Sequence, residues 1–182
     1  MILRGKNLRL VPYTPADWEL LARWVYDVDY GFMWRHHPKP LTPAEIQNYN
    51  ALIGGEAFLI LNIETGEPVG LAQAIPDEKN NRGFYGGLLI DKKFQKRNYP
   101  LEAYTILFDY MFNRQNYRKA IVEVLSQHKS LLQIVNQNGF LHEGTLRGDC
   151  FWDGEYVDEE RYSMTATFYN KKFKGVLNEW RS

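Results

Sequence analysis

The run Tyr85 to Ile90 is strand-like, and after a polar turn a long helical run begins at Pro100 and reaches about Arg114. Leu101, Tyr104, Phe108, Met111 and Phe112 recur in it at spacings of three and four, so five large apolar side chains share one helix face. A face of that kind has to be covered by another layer. Strand-like sequence lies on both sides of it, since Ala120 to Leu125 is a further strand. The middle of the chain therefore reads as a strand–helix–strand unit packed on a sheet.

The remaining elements fall around that unit. Leu8 to Val11 is a first strand and Ala57 to Leu61 a second. The turn Glu64-Thr65-Gly66-Glu67 leads into a third, Pro68 to Ala72. Thr14-Pro15-Ala16-Asp17 and Thr42-Pro43-Ala44-Glu45 both carry helix-start chemistry: a capping hydroxyl, a proline in the first turn, then a carboxylate. They predict helices from about Pro15 to Tyr26 and from about Pro43 to Leu52. A short helix covers Lys129 to Gln137, and Asn138-Gly139 is expected to end it in left-handed geometry. Two strands, around Phe140–Leu146 and Arg161–Thr167, finish the chain through the turn Asp153-Gly154-Glu155. Hairpins early and β-α-β units late predict an α/β (α+β) fold. One domain over 1–182 would have a mixed, mostly antiparallel central sheet with helices on both faces.

Composition narrows the function classes. Twenty-two basic and twenty-two acidic side chains cancel, so no basic excess draws the chain to nucleic acid or to a membrane surface. No apolar run approaches the roughly 20 residues that span a bilayer. The start, Met1 to Lys6, does not resemble a signal peptide, and a cytoplasmic protein is expected. A single cysteine, Cys150, excludes an internal disulfide and a multi-cysteine zinc site. Aromatic residues make up 15% of the chain, enough to build both core and pocket walls.

The segment from Asp91 to Ala103 resembles the GNAT N-acetyltransferase superfamily, which places Gln/Arg-x-x-Gly-x-Gly/Ala between a strand and a helix that often opens Thr-Glu-Ala. Downstream the likeness continues through Val122-Glu123-Val124, His128 to Leu131, and Gly139-Phe140-Leu141-His142-Glu143-Gly144-Thr145-Leu146-Arg147. Asp153 to Asp158 and Arg161-Tyr162 are similar to the tail of the branch that acetylates ribosomal-protein N-termini and polyamines. The spacing from Phe94 to Arg147 matches without gaps.

The resemblance implies binding of acetyl-CoA as co-substrate, without a metal. A strand-to-helix turn exposes unpaired N–H groups at the positive end of a helix dipole, where a diphosphate is the natural guest. Gln95, Lys96, Arg97, Asn98 and Tyr99 occupy that turn. Leu88, Leu89 and Ile90 occupy the strand whose backbone would pair with pantetheine amides. The acceptor class implied is a small-molecule primary amine or a protein N-terminus, attacked directly in a ternary complex. The family pattern also implies a homodimer.

Several family positions are replaced. The loop glycines are Asn98 and Pro100: Asn tolerates a left-handed backbone, whereas proline removes one N–H. The Asn that usually opens the downstream motif is His128. The acid positions of the two branches hold Val135 and Leu131, and the strand position that often carries a Glu base holds Tyr85. His128 and Tyr85 are thus the catalytic candidates, His128 as a group poised near neutral pH and Tyr85 as a relay. Alternatively His128 simply starts the following helix. Trp34, His36 and His37 lie where the family places its acceptor site and are candidate substrate contacts, or part of a solvated loop. In a strand, His36 and His37 would point to opposite faces, which does not make a metal site. Glu143, Arg147 and Asp149 either line an acceptor cleft or stand as exposed strand-end charge. Two other readings fit the replaced residues: a GNAT-fold binding module without catalysis, and an acyltransferase that takes its acyl group from a carrier-protein pantetheine.

Overall fold

The computed structural model describes residues 2–26, 43–48, 54–77, 82–95 and 98–181. Its strands are β1 (Leu3–Arg4), β2 (Leu8–Val11), β3 (Glu56–Asn62), β4 (Pro68–Asp77), β5 (Gly83–Ile90), β6 (Lys119–Leu125), β7 (Leu141–Trp152) and β8 (Glu155–Thr165). The helices are α1 (Trp18–Tyr26), α2 (Pro43–Gln47), α3 (Tyr99–Asn113), α4 (Lys129–Gln137), α5 (Ala166–Lys172) and α6 (Lys174–Arg181). The strands form one sheet in the order β1-β2-β3-β4-β5-β6-β8-β7. Every neighbouring pair is antiparallel except β5 and β6, which α3 connects as a parallel crossover.

The two faces of the sheet are covered differently. Alternate residues of β2 to β6, among them Leu10, Ile60, Ala72, Phe84 and Val122, pack on α3 in the main core. Phe84 sits at its centre, edge-on to Phe108, Phe112 and Tyr117 with centroids 5.4–5.6 Å apart. The opposite face carries a smaller cluster in which Leu21 and Trp24 of α1 pack on Ala57, Leu59, Leu71 and Leu89. The start of α1 follows its capping chemistry: the Asp17 carboxylate accepts from the Thr14 N–H at 2.7 Å and the Thr14 hydroxyl at 2.8 Å.

The ends of the chain differ from the sequence expectation. β7 and β8 are much longer than predicted, because the hairpin runs out to the two-residue turn Asp153-Gly154, both in the left-handed region (φ 44° and 88°). The strand predicted to reach Thr167 stops at Thr165, whose hydroxyl accepts from the Phe168 N–H and caps α5. The chain then ends in two helices rather than a strand. Tyr169, Phe173 and Leu177, spaced by four, bury against the core, and the Tyr169 hydroxyl donates to the Thr105 carbonyl at 2.7 Å. The expected left-handed end of α4 is present: Asn138 is the last capping residue and Gly139 after it is left-handed (φ 82°). The predicted helix from Pro43 to Leu52 is described only as far as Gln47, and 49–53 lie outside the described residues. Among the described residues no helix is long and apolar enough to cross a membrane.

Candidate active site

β5 and β6 pair only at their start, through Gly83↔Lys119, Phe84↔Ala120 and Tyr85↔Ile121. Beyond that, β5 follows β4 along its whole length, while β6 follows β8. Each strand keeps its outer partner, so the inner edges diverge and leave a notch in the middle of the sheet. One wall is the backbone edge of β5 from Gly86 to Ile90, and the other is β6 from Val122 to Leu125. Two glycines stand at the parting point. A Cβ on Gly86 would lie 2.9 Å from the Phe108 ring, and one on Gly87 would lie 2.9 Å from the Gln73 side chain. Both faces are thus already filled there by neighbouring side chains.

The wide end of the notch is closed by the turn into α3. Asp91 fixes the end of β5: its N–H donates to the Val69 carbonyl, Oδ1 accepts from the Lys93 N–H, and Oδ2 accepts from the Trp24 indole at 2.9 Å. The Gln95 side-chain amide donates to the Ile90 carbonyl at 3.1 Å. Helix α3 then starts at Tyr99 with Pro100 second. The first turn of a helix leaves N–H groups without intrahelical acceptors, here that of Leu101, since Pro100 has none. The start of α3 is held by Glu102, which is buried. Its Oε1 accepts from the N–H groups of Asn7 (2.6 Å) and Leu8 (2.9 Å), and Oε2 from the Asn7 side chain (2.9 Å).

Two expectations about this turn change. Asn98 has φ −76°, ψ 27°, so it uses none of the left-handed freedom that Asn would permit. Tyr99 turns its side chain into the core, where its hydroxyl accepts from the Asn62 amide at 2.9 Å. Lys96 and Arg97 lie outside the described residues, as do Trp34, His36 and His37. Of the three strand residues, Leu88 and Ile90 turn toward α3 and Leu89 toward α1, which leaves their peptide groups at the notch.

The titratable side chains beside the notch lie on the α1 face of the sheet. Tyr85, on β5, is half-buried next to Glu123 on β6. Arg161, opposite Glu123 on β8, gives Nε–H and Nη2–H to Glu123 Oε1 at 2.8 and 2.5 Å. Two residues along β8, Glu159 is buried opposite Leu125. Asp149 and Cys150, on β7, are close enough to affect it electrostatically. His128 follows β6 as the residue immediately before α4, half-buried, with its carbonyl accepting from the Leu132 N–H.

Residues 7–141 match the acetyltransferase (GNAT) domain family. The chain belongs to the GNAT family. Similar solved structures agree on the fold of this GNAT domain. One is a spermidine N-acetyltransferase from Vibrio cholerae in complex with CoA and spermine, 17% identical, with 90% of this chain and 98% of that chain covered and a TM-score of 0.79. Another is a spermidine/spermine N-acetyltransferase from Vibrio cholerae in complex with manganese ions, 20% identical, covering 91% and 96%, TM-score 0.75. A GNAT-family acetyltransferase from Bacillus anthracis is 17% identical over 92% and 99% of the two chains, TM-score 0.75. No curated protein matches the sequence.

Electrostatics sorts the groups that this GNAT domain brings together. Burial, then the charges of Glu123 and Asp77, push the Tyr85 phenol up. Burial pushes the His128 imidazole down, so it is neutral at pH 7. Burial, Glu123 and Asp149 push Glu159 up to about 7, against the opposing pull of Arg161. Glu143 is held low by hydrogen bonds from Lys119 and Ser163, and burial raises the Cys150 thiol. Among the described residues no group of three or more His, Cys, Asp or Glu is placed to hold a metal ion. Sequence reasoning missed Glu123, Glu159 and Arg161 as members of the cluster. Alternation along Glu159-Glu160-Arg161-Tyr162-Ser163 put them on one face, but finding Glu123 opposite Arg161 required the β6–β8 register.

Proposed function

We propose that this GNAT domain, read as one unit over 1–182, transfers acetyl from acetyl-CoA to a primary amine. The observation that carries the reading is the open notch itself: an unpaired edge of β5 ending at a helix N-terminus. Peptide-like amides of a pantetheine arm match that edge, and a diphosphate matches the positive end of α3, where the Leu101 N–H has no intrahelical acceptor. Gln95, Lys96, Arg97 and Asn98 would complete the diphosphate pocket, and Leu88, Leu89 and Ile90 would present their backbone to the arm. Bound there, acetyl-CoA supplies the thioester, whose reactive end falls where the strands part, beside Tyr85, Glu123 and the start of α4. A strand N–H polarises the carbonyl, and much of the acceleration comes from holding the two reactants together.

The acceptor class is a polyamine, a protein N-terminus or an amino sugar. The acidic side chains Glu123, Glu159 and Asp149 favour a cationic amine, and two similar folds belong to enzymes of spermidine and spermine. Trp34, His36 and His37 belong to the same proposal as acceptor contacts, with His128 as donor to the leaving sulfur and Tyr85 as relay. A cytoplasmic setting and a homodimer complete the reading, and sedimentation tests the latter.

Val135 and Leu131 favour a second reading. Val135 is fully buried in the core and carries no proton, so a binding module without catalysis would look the same at that helix. Pro100's missing N–H favours a carrier-protein donor in the same way. Calorimetric titration with free CoA followed by turnover of acetyl-CoA against an amine panel separates the three. Tight CoA binding with acetylated product supports the proposal. Binding without product supports the module, and no binding of free CoA supports the carrier-protein donor.

A further inference from the structure

We infer that Gln73 limits the length of the acyl group that the notch accepts and so holds the donor to acetyl. The inference rests on the acetyl-transfer reading above and names the donor class for that same site. The notch has a blind end. β5 and β6 are joined at Tyr85↔Ile121, the last pair before they diverge, so an acyl chain extending from a thioester where they part meets a closed seam. The ways round the seam run over the two faces of the sheet at Gly86 and Gly87, which carry no side chains of their own.

The two faces are closed by different means. Gly86 faces α3, and the Phe108 ring stands 2.9 Å from the point that a Gly86 Cβ would occupy. Phe108 is 1% exposed and packs among Phe84, Tyr104, Phe112 and Phe140 with ring centroids 5.2–6.0 Å apart, which makes this wall rigid. Gly87 faces the α1 side, where the wall is one flexible side chain. Gln73 lies opposite Gly87 on β4, and its Cγ, Cδ and Nε2 stand 2.9, 3.3 and 2.9 Å from the place of a Gly87 Cβ. β4 lies about 4.8 Å from β5 on the side away from the notch. With three successive atoms around one point above Gly87, the Gln73 side chain has crossed that gap and lies over the β5 backbone. It is 6% exposed, so its amide is a buried polar wall rather than a solvated one.

An acetyl methyl ends short of this wall. Each further methylene has to displace the Gln73 amide from its buried position, and moving a buried polar group without a replacement partner is unfavourable. A single methylene in a closed pocket changes specificity by roughly 10- to 200-fold. The same arrangement explains the glycine at 87, since any side chain there would occupy the space that Gln73 fills.

Initial rates and titration calorimetry with acetyl-, propionyl- and butyryl-CoA test the proposal, with spermine as acceptor for the rates. The proteins compared are the parent, Gln73→Ala and Gln73→Ser, which shorten the side chain, and Gln73→Leu, which keeps its bulk. In the parent, kcat/KM should fall roughly 10-fold or more for each added methylene. Gln73→Ala and Gln73→Ser should each lower the acetyl-to-butyryl ratio by about fivefold or more, and Gln73→Leu should leave it within about twofold. A ratio taken within one variant cancels any general loss of folded protein, so a merely structural role would not move it. A parent that transfers butyryl as well as acetyl would overturn the proposal, as would shortened variants whose ratio stays within about twofold of the parent's. A ratio that Gln73→Leu changes as much as Gln73→Ala does would overturn it too. Failure of the transfer reading is separable. Acyl-CoA affinity that is graded by chain length and levelled by Gln73→Ala, with no amine acetylated, would sink the transfer reading and support the wall. Transfer of all three acyl groups alike would sink the wall alone, and no binding of any acyl-CoA would sink both.

Discussion

Arg161 reaches across the β6–β8 pair and places two of its N–H groups on a single oxygen of Glu123. The same guanidinium is the cation that opposes the rise of Glu159. Replacing Arg161 with Gln therefore has two expected results. Stability falls by about 1 kcal/mol, a modest loss because the Arg161 side chain is 38% exposed. The Glu159 carboxyl moves further up, because it loses its opposing charge, so the loss of stability with rising pH that this group causes shifts to higher pH. Urea unfolding at one pH reads the first, and urea unfolding repeated across pH reads the second.

Glu159 also gives the fold a pH dependence. Its folded-state value of about 7 lies above the ordinary 4.5, so the folded protein binds more protons between those two pH values. Stability from this group is complete below about pH 4.5 and is lost as pH rises through 7. Glu159→Gln should be more stable than the parent at pH 8, by on the order of 1–2 kcal/mol, and no more stable at pH 5. Denaturant titration at the two pH values measures the difference.

The imidazole of His128 works in the opposite direction. Burial lowers it below 6.5, so its contribution to stability is complete above that pH and is lost as pH falls toward the folded-state value. His128→Ala should flatten that acid-side loss. If the ring donates to the leaving sulfur, turnover also falls by roughly 100-fold with CoA affinity unchanged. A change in the stability profile alone would mark His128 as only the residue that begins α4.

The buried Glu102 carboxylate joins α3 to the β1–β2 turn through three hydrogen bonds. Glu102→Ala leaves the N–H groups of Asn7 and Leu8 without their acceptor, and should cost about 3 kcal/mol in urea unfolding. Because α3 would then shift against β2, CoA affinity should fall as well.

Pro100 is the second residue of α3 and supplies no N–H. A hydrogen bond to a charged group contributes roughly 1.5–3 kcal/mol, so Pro100→Ala should tighten CoA by roughly 10- to 150-fold. Asn98→Gly should do little, because Asn98 already sits at an ordinary negative φ. Titration calorimetry well below the melting temperature isolates affinity from the small loss of rigidity.

The parts of the fold written in local pattern were legible from the sequence. Leu8–Val11 and Lys129–Gln137 have the observed bounds, and the apolar stripe of α3 lies where its spacing put it. The final helices were misread because the strand-like pattern of Tyr162 to Phe168 continues past the cap at Thr165. The stripe Tyr169, Phe173, Leu177 was present but was not used. Within the site, the turn between β5 and α3 followed from the order of elements, and the strand edge beside it from the family resemblance. The Glu123–Arg161 pair and the buried Glu159 did not, because β8 pairs with β6 at sequence separations of 34 to 46, and no local pattern encodes that register.

The most direct test of acetyl transfer is mass spectrometry of spermine and of a short peptide with a free N-terminus after incubation with acetyl-CoA, with thiol release followed in parallel. The account predicts one acetyl group added to an amine nitrogen, thiol released in equal amount, and a protein that acetyl-CoA at about 100 times its dissociation constant stabilises by roughly 2.7 kcal/mol. Unmodified amines, no thiol release and an unchanged melting temperature at millimolar acetyl-CoA would contradict it.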